Sequence, residues 1–409
     1  MRILYINHYA GSPRHGMEYR PYYLAREWVR AGHVVQIIGS SQSHIRSKQP
    51  QLAGRGRLEE TIDDILYTWF ETPPYIGNGI GRVRNMGSFV SRLFRESKWI
   101  SASFRPDVVI ASSTYPMDVW PAHRIAKLAG AKLVFEIHDL WPLTPMELGG
   151  KSRWHPFIML MQAAEDYAYR HADAVVSMLP KVRGYVESRG MAPNKLHIVP
   201  NGIDPSEWFA GSSALHAAAA EVLSTLHERG YPLIGYAGTH GISNSLETFL
   251  SAAKLMREEK VAFVLVGDGP DKARLQKWVS EEQMANICFI DPILKAQIPA
   301  LLRHFDVAGI SWRRQSLYRF GIAPNKLMDY MMAARPVLHA VEAGNDPVSE
   351  AGCGLTIPPE DPPAMADGIR ALLSLNKDER EAMGQRGKEF VLNNLTYPIL
   401  AKKFLAACN

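Results

Sequence analysis

A strand–helix alternation runs through all 409 residues and restarts about halfway, and nothing else in the sequence constrains the fold as strongly. In the first half, strand patterns fall at 2–7, 34–39, 65–70, 107–112, 132–137, 173–177 and 196–199, with helical patterns at 17–31, 118–129 and 155–171 between them. The second half repeats the scheme with strands at 232–237, 262–267, 286–290, 306–310, 336–340 and 354–357. Its helices are predicted at 245–258, 270–280, 325–334 and 362–373. The strands are near-continuous Val, Ile and Leu runs, the mark of parallel strands covered on both faces. The expected fold class is therefore α/β, with two doubly wound Rossmann-like domains whose strand carboxyl ends face a shared interdomain cleft.

Composition narrows the function. Hydrophobic residues at 46% and charged residues at 21% exclude general disorder. No apolar run reaches the ~18 residues that a spanning helix needs. The opening Met1-Arg2-Ile3-Leu4-Tyr5-Ile6 enters a strand pattern directly, so no signal peptide is expected. Cys288, Cys353 and Cys408 are scattered and lack metal-ligand spacing; a cytoplasmic protein without disulfides or structural zinc is expected. Residues 1–200 carry 25 Lys and Arg against 17 Asp and Glu, whereas the rest carry 21 against 24. The first half is thus suited to an anionic partner. No basic block or tail marks a nucleic-acid arm.

Three strand-to-helix loops have the backbone freedom that a phosphate seat needs. The first spans 7–16 and contains Gly11, Arg14, His15 and Gly16. The second runs Gly238-Thr239-His240-Gly241 toward Ser245. The third is Gly267-Asp268-Gly269-Pro270, with Pro270 expected as the first helical residue. The alternative for each loop is an ordinary solvated or glycine-rich turn. A turn cluster at Asn201-Gly202-Ile203-Asp204-Pro205 marks a boundary, followed by a connector or surface helix at 210–220.

Taken in order, several segments resemble the family 4 glycosyltransferases of the GT-B type. They are Val199-Pro200-Asn201-Gly202-Ile203-Asp204, Tyr236-Ala237-Gly238 and Leu265-Val266-Gly267-Asp268-Gly269-Pro270. Pro324-Asn325-Lys326-Leu327-Met328-Asp329-Tyr330-Met331 and Ala334-Arg335-Pro336-Val337 complete the series. The opening 5–13 and Asp139-Leu140-Trp141-Pro142 are similar to bacterial aminosugar transferases of O-antigen and capsule assembly.

The resemblance implies an N-terminal acceptor domain over 1–204, with a helix at about 394–409 crossing back to it, and a nucleotide-sugar domain over 205–393. It implies a nucleotide-sugar donor, UDP-linked and carrying an N-acetylated hexose, and transfer with retention and without a metal or other cofactor. The chain has no Asp-x-Asp triplet, in agreement with that expectation. Lys326 would meet the diphosphate and Asp329 the ribose. Gly11, Gly238, Thr239, His240, Gly267, Asp268, Ile293 and Asn325 complete the expected donor side. His138, at a strand end, would contact the sugar near the reacting carbon, with Asp139 beside it. Front-face attack follows from the resemblance, the leaving phosphate taking the acceptor's proton. The chain departs from the family at Gly321, where the first of two glutamates eight positions apart would stand.

Residues 81–101 carry five cations and one acid, with Phe89, Leu93, Phe94 and Trp99 at helical spacings. This helix either lies on an anionic leaflet and guides a lipid-linked saccharide acceptor, or packs its aromatics on the sheet. Arg14, His15, Arg82 and Arg84 are the expected acceptor-side cations. Competing readings are a GT-B-shaped epimerase and a nucleotide-sugar-binding protein without catalysis. A dehydrogenase is disfavoured because neither half carries GxGxxG.

Overall fold

The computed structural model describes residues 1–16, 19–209 and 213–408. Positions 17 and 18 of the expected first helix, 210–212 of the expected connector, and 409 lie outside the described residues. The chain divides into two units, Met1–Asn201 with Tyr397–Asn409, and Gly202–Thr396. Residues 202–204 go with the second unit because Ile203 pairs in parallel with Thr396 and donates its N–H to the Leu395 carbonyl at 2.9 Å.

The first unit carries β1 (Arg2–Ile6), β2 (Val34–Ser40), β3 (Arg57–Ile62), β4 (Ile65–Phe70), β5 (Val108–Ala111), β6 (Lys132–Ile137), β7 (Ala174–Ser177) and β8 (Leu196–Ile198). Their order across the sheet is β3-β4-β2-β1-β5-β6-β7-β8. All neighbours are parallel except β3 and β4. β3 is absent from the sequence reading: its alternating Arg-Leu-Glu-Glu-Thr-Ile is an edge strand. It joins β4 through Asp63 and Asp64, both at positive φ (49° and 62°), as a two-residue hairpin requires.

Helix Ile80–Phe104 buries Met86, Phe89, Leu93, Ser97, Ile100 and Phe104, a three-to-four-residue spacing that lays one stripe on the unit's core. It ends at Arg105 in a left-handed conformation. Gly79 precedes this helix as its N-cap, and Gly81 lies inside its first turn. Helix Tyr397–Cys408 buries Tyr397, Leu400 and Phe404 in the core that holds Tyr5, Tyr23 and Trp28. Tyr23 stacks on Tyr397, and the Trp28 indole donates to the Ala401 carbonyl at 3.1 Å.

The second unit is a six-stranded parallel sheet in the order β11-β10-β9-β12-β13-β14. Its strands are β9 (Leu233–Ala237), β10 (Ala262–Val266), β11 (Ile287–Ile290), β12 (Val307–Ser311), β13 (Val337–Ala340) and β14 (Gly354–Ile357). The helices Leu246–Leu255, Lys272–Glu281, Asn325–Met332 and Pro362–Ser374 match the predicted positions to within a few residues. Pro270 stands two residues ahead of its helix instead of opening it, because Asp271 precedes the first turn.

Strand order reverses between β1 and β5 in one sheet and between β9 and β12 in the other. At such points the loops after the strand carboxyl ends diverge and leave room for a ligand. Among the described residues, no helix is long and apolar enough to cross a membrane.

Candidate active site

In the second unit, β9 ends at Ala237 and Gly238 opens the loop beyond the reversal. The Tyr236 hydroxyl donates to the Thr239 carbonyl at 2.7 Å, and the Asn244 amide donates to the same oxygen at 2.9 Å. That leaves the Tyr236 oxygen and the Asn244 carbonyl as acceptors. Lys326, in the first turn of Asn325–Met332, donates its ammonium to both, at 2.9 and 2.5 Å. Its Nζ also lies 4.9 Å from the Tyr236 ring centre and 5.4 Å from that of Trp312. Among the described residues no carboxylate pairs with this lysine, and burial lowers its pKa to about 8. A cation held by two neutral oxygens at a helix start is a seat for an anion.

Glycine is required around this seat. A Cβ on Gly238, whose φ is +156°, would meet the Tyr236 hydroxyl at 3.2 Å and the Lys326 Nζ at 3.4 Å. A Cβ on Gly267, at φ +140°, would lie 2.0 Å from the Gly238 carbonyl oxygen. The loops after β9 and β10 therefore pack backbone against backbone. The His240 N–H donates to the Asp268 carbonyl at 2.8 Å, and the Asp271 N–H to the His240 carbonyl at 3.0 Å.

The expected donor residues are not all brought together. Thr239 and Asp268 are exposed, and the Asp268 carboxylate accepts from the Gly269 N–H at 2.8 Å. His240 is fully buried between the rings of Tyr236 and Phe289, where burial lowers its pKa to about 4. Its imidazole thus lies under the loop instead of on it. Asn325 is exposed and Ile293 half-buried. Asp329 accepts from the Trp208 indole at 3.3 Å, and burial raises its pKa to about 6 despite the nearby Lys295. Gly321 adopts φ +103°, a conformation that glycine takes without strain and a glutamate does not.

In the first unit the carboxyl ends of β1, β5 and β6 bring together Asn7, Ser112, Glu136 and His138. Glu136 is completely buried. One of its oxygens accepts from the Arg20 guanidinium at 2.9 Å; the other accepts from the Tyr5 hydroxyl at 2.5 Å and the Ser112 hydroxyl at 2.6 Å. Burial alone would raise this carboxyl, but the Arg20 charge and the surrounding donors hold it well below the usual carboxylate range. His138 Nε2 lies 2.8 Å from the Ser112 oxygen and 3.3 Å from Glu136. Asp139 beside it is exposed. The sequence reading missed Glu136, Ser112 and Arg20. Glu136 was within reach, since a residue two positions before His138 shares its face of the strand.

Beside this network, Arg82 donates to the Tyr9 hydroxyl at 3.2 and 3.1 Å and lies 5.6 Å from the Trp141 ring centre. Arg82 therefore belongs to the strand-end surface, whereas Arg84 is exposed further along the helix. The other two acceptor-side cations are turned away from it. His15 bonds the Ser12 hydroxyl at 2.8 Å, packs on Trp69 and faces Glu60 at 3.4 Å. Exposed Arg14 pairs with the same Glu60 at 3.7 Å. Gly11 is buried and its carbonyl accepts from Tyr67 at 3.1 Å. Among the described residues, no three His, Cys, Asp or Glu side chains are grouped to hold a metal ion.

These features define a two-unit α/β protein with an anion seat and a carboxylate-held histidine, each at the carboxyl edge of a parallel sheet. Residues 15–202 match a family described as a glycosyl transferase 4-like domain, and residues 231–375 match the glycosyl transferases group 1 family. The chain belongs to these glycosyltransferases, and its fold is GT-B. A putative colanic acid biosynthesis glycosyl transferase, WcaI, of Escherichia coli (strain K12) is 25% identical over 86% of this chain and 87% of that protein. The probable glycosyltransferase WbjE of Pseudomonas aeruginosa is 24% identical over 92% and 96%. The structure of Anabaena Alr3699/HepE in complex with UDP and glucose matches over 99% of this chain and 98% of its own, with a TM-score of 0.67 at 14% identity.

Proposed function

We propose that this glycosyltransferase moves a sugar, by default an N-acetylated hexose, from a UDP-linked donor to a lipid-linked saccharide in surface-polysaccharide assembly. The observation that carries the donor half of this reading is the Lys326 ammonium, held by Tyr236 and Asn244 with no carboxylate partner among the described residues. A diphosphate would supply the missing negative charge, and Asp329 would accept from the ribose. HepE, which shares the fold, was solved with UDP and glucose, and the relative WcaI is named for colanic acid biosynthesis.

In this reading transfer retains configuration and uses no metal. The acceptor oxygen bonds to the anomeric carbon on the face that the diphosphate leaves. The carbon–phosphate-oxygen bond breaks, and the acceptor's proton passes to the departing phosphate. Lys326 stabilises the charge that develops there, and His138 hydrogen-bonds the sugar at the reacting end.

The acceptor half rests on the first unit's surface. Phe89 and Leu93 of Ile80–Phe104 are buried, so this helix does not offer them to lipid. Exposed apolar residues are instead Ile76 ahead of this helix, Ile80 and Val83 in its first turn and Phe94 further along, together with Leu148, Trp154, Met159 and Leu160 after β6. Neither segment contains an acid between Glu71 and Glu96 or between Glu147 and Glu165, and Lys151 and Arg153 add positive charge. β4 and β6 run parallel, so both loops leave one sheet edge, and Arg82 meets Trp141 there. Such a surface suits an anionic leaflet.

Thermal unfolding with UDP, GDP, ADP and NAD, each with and without magnesium, tests the donor. UDP at 100 times its dissociation constant should stabilise by about 2.7 kcal/mol without metal. A shift with GDP alone overturns the base, and no shift with any of them overturns the Lys326 seat.

A further inference from the structure

The Ser112 hydroxyl has one proton and two lone pairs. Glu136 Oε2, an ionised carboxylate oxygen, can only accept, so Ser112 donates to it across 2.6 Å. The Asn7 amide takes one Ser112 lone pair at 3.3 Å. At 2.8 Å from His138 Nε2, Ser112 therefore has only an acceptor site left, and Nε2 must carry the proton. The longer 3.3 Å approach of Nε2 to Glu136 has the same requirement.

We infer that Glu136, acting through Ser112, is a positioning residue that fixes His138 as the Nε2–H tautomer and leaves the Nδ1 lone pair as the ring's acceptor. The inference rests on the proposed role of His138 at the sugar. It goes beyond that role by assigning what the ring does there: in its neutral form His138 accepts a hydrogen bond at Nδ1 and does not donate one.

The surroundings suit this task better than they suit stability. A buried ion pair contributes little net stability, because desolvation offsets the attraction. Here one carboxylate gathers donors from four elements. Tyr5 comes from β1, Arg20 from helix Arg20–Arg30, Ser112 from the end of β5 and His138 from the end of β6. Arg20 also donates to the Val199 and Pro200 carbonyls at 2.7 and 2.6 Å, which anchors the guanidinium from the far side. The acceptor that orients His138 is thereby rigidly placed.

The test uses the full chain labelled with ¹⁵N-histidine. Long-range ¹H–¹⁵N correlation should show His138 protonated at Nε2 with a bare Nδ1 at pH 8. Glu136→Gln should shift the ring toward Nδ1–H, since a glutamine amide donates to Ser112 and turns its hydroxyl toward the imidazole. Because Glu136→Gln strands the buried Arg20 charge and can prevent folding, Ser112→Ala and Ser112→Thr are measured beside it. Ser112→Ala should lower kcat about tenfold or more with donor KM within about threefold, and Ser112→Thr should restore it. An Nδ1–H ring in the wild type, or unchanged kcat in Ser112→Ala, overturns the inference. If His138→Ala leaves turnover intact, the role of His138 in the proposed function fails, while the tautomer measurement still decides the positioning.

Discussion

Asn244 Oδ1 lies 2.5 Å from Lys326 Nζ, and the same side chain braces the Thr239 carbonyl through its amide. The lysine and the loop after β9 are thus one unit, so loop geometry and cation placement change together. Burial lowers the Lys326 pKa to about 8, while in the unfolded chain it would titrate near 10.5. The free enzyme should lose this positive charge as pH rises through about 8, and UDP affinity should fall across the same range. Isothermal titration at pH 7 and pH 9 measures it; equal affinities would disprove the assignment. The stability term has its own sign. Between about 8 and 10.5 the unfolded chain binds more protons at this lysine, so its contribution becomes less unfavourable as pH rises. Lys326→Met should abolish the UDP-dependent thermal shift and that pH term together.

Gly267→Ala should damage both donor loops at once. The added methyl would sit 2.0 Å from the Gly238 oxygen, a backbone atom that cannot swing away, and the residue would have to hold φ +140°. Overpacking of this kind costs about 1–3 kcal/mol. We expect a lower Tm and a UDP affinity reduced at least tenfold. Gly130→Ala is the comparison, since nothing lies within 4 Å of its Cβ position and the change tests positive φ alone. Equal UDP affinity in Gly267→Ala and the wild type would show that the loops tolerate separation.

These two predictions show where the sequence was informative. Gly238, Gly267 and Lys326 were legible because their chemistry is local: a strand end, a missing side chain, a helix start. The parallel sheets were legible for a similar reason, since buried strands read as unbroken apolar runs. Tyr236 and Asn244 lie 90 and 82 positions from Lys326, and no periodicity links them. His240 was named for its place in the glycine loop, and the inward turn of its ring comes from loop-on-loop packing that no local pattern encodes. β3 was missed because an edge strand with two glutamates lacks the apolar run that marked the others.

Asp118 gives a pH dependence of the opposite kind. It is fully buried, one oxygen accepts from the Ser113 N–H at 2.9 Å, and burial raises its pKa to about 7. The folded state then holds a proton that the unfolded state, titrating near 3.8, has already released. Its contribution is complete below about pH 4 and is lost as pH climbs through about 7. Asp118→Asn keeps an acceptor for Ser113 and removes the titration. Urea unfolding at pH 5 and pH 8 should show a smaller loss of stability in the variant than in the wild type. Parallel loss in both proteins would place the titrating group elsewhere.

The surface after β4 and β6 makes the last prediction. Trp154 is 68% exposed and Ile80 is 88% exposed, each on a segment without acidic residues. A tryptophan beside Arg153, whose guanidinium lies 4.7 Å from its ring centre, is suited to the headgroup layer, where the ring is half-dehydrated and the cation meets lipid phosphate. Sedimentation with vesicles of phosphatidylserine and phosphatidylcholine should carry the wild type down, and pure phosphatidylcholine should not. Raising salt from 0.1 to 0.5 M should release it, because the Debye length falls well below ~10 Å. Trp154→Glu with Ile80→Glu should abolish pelleting while turnover on a water-soluble acceptor analogue stays near wild type. Wild-type protein that remains in the supernatant with anionic vesicles would rule out this surface as the docking face, whatever the double variant does.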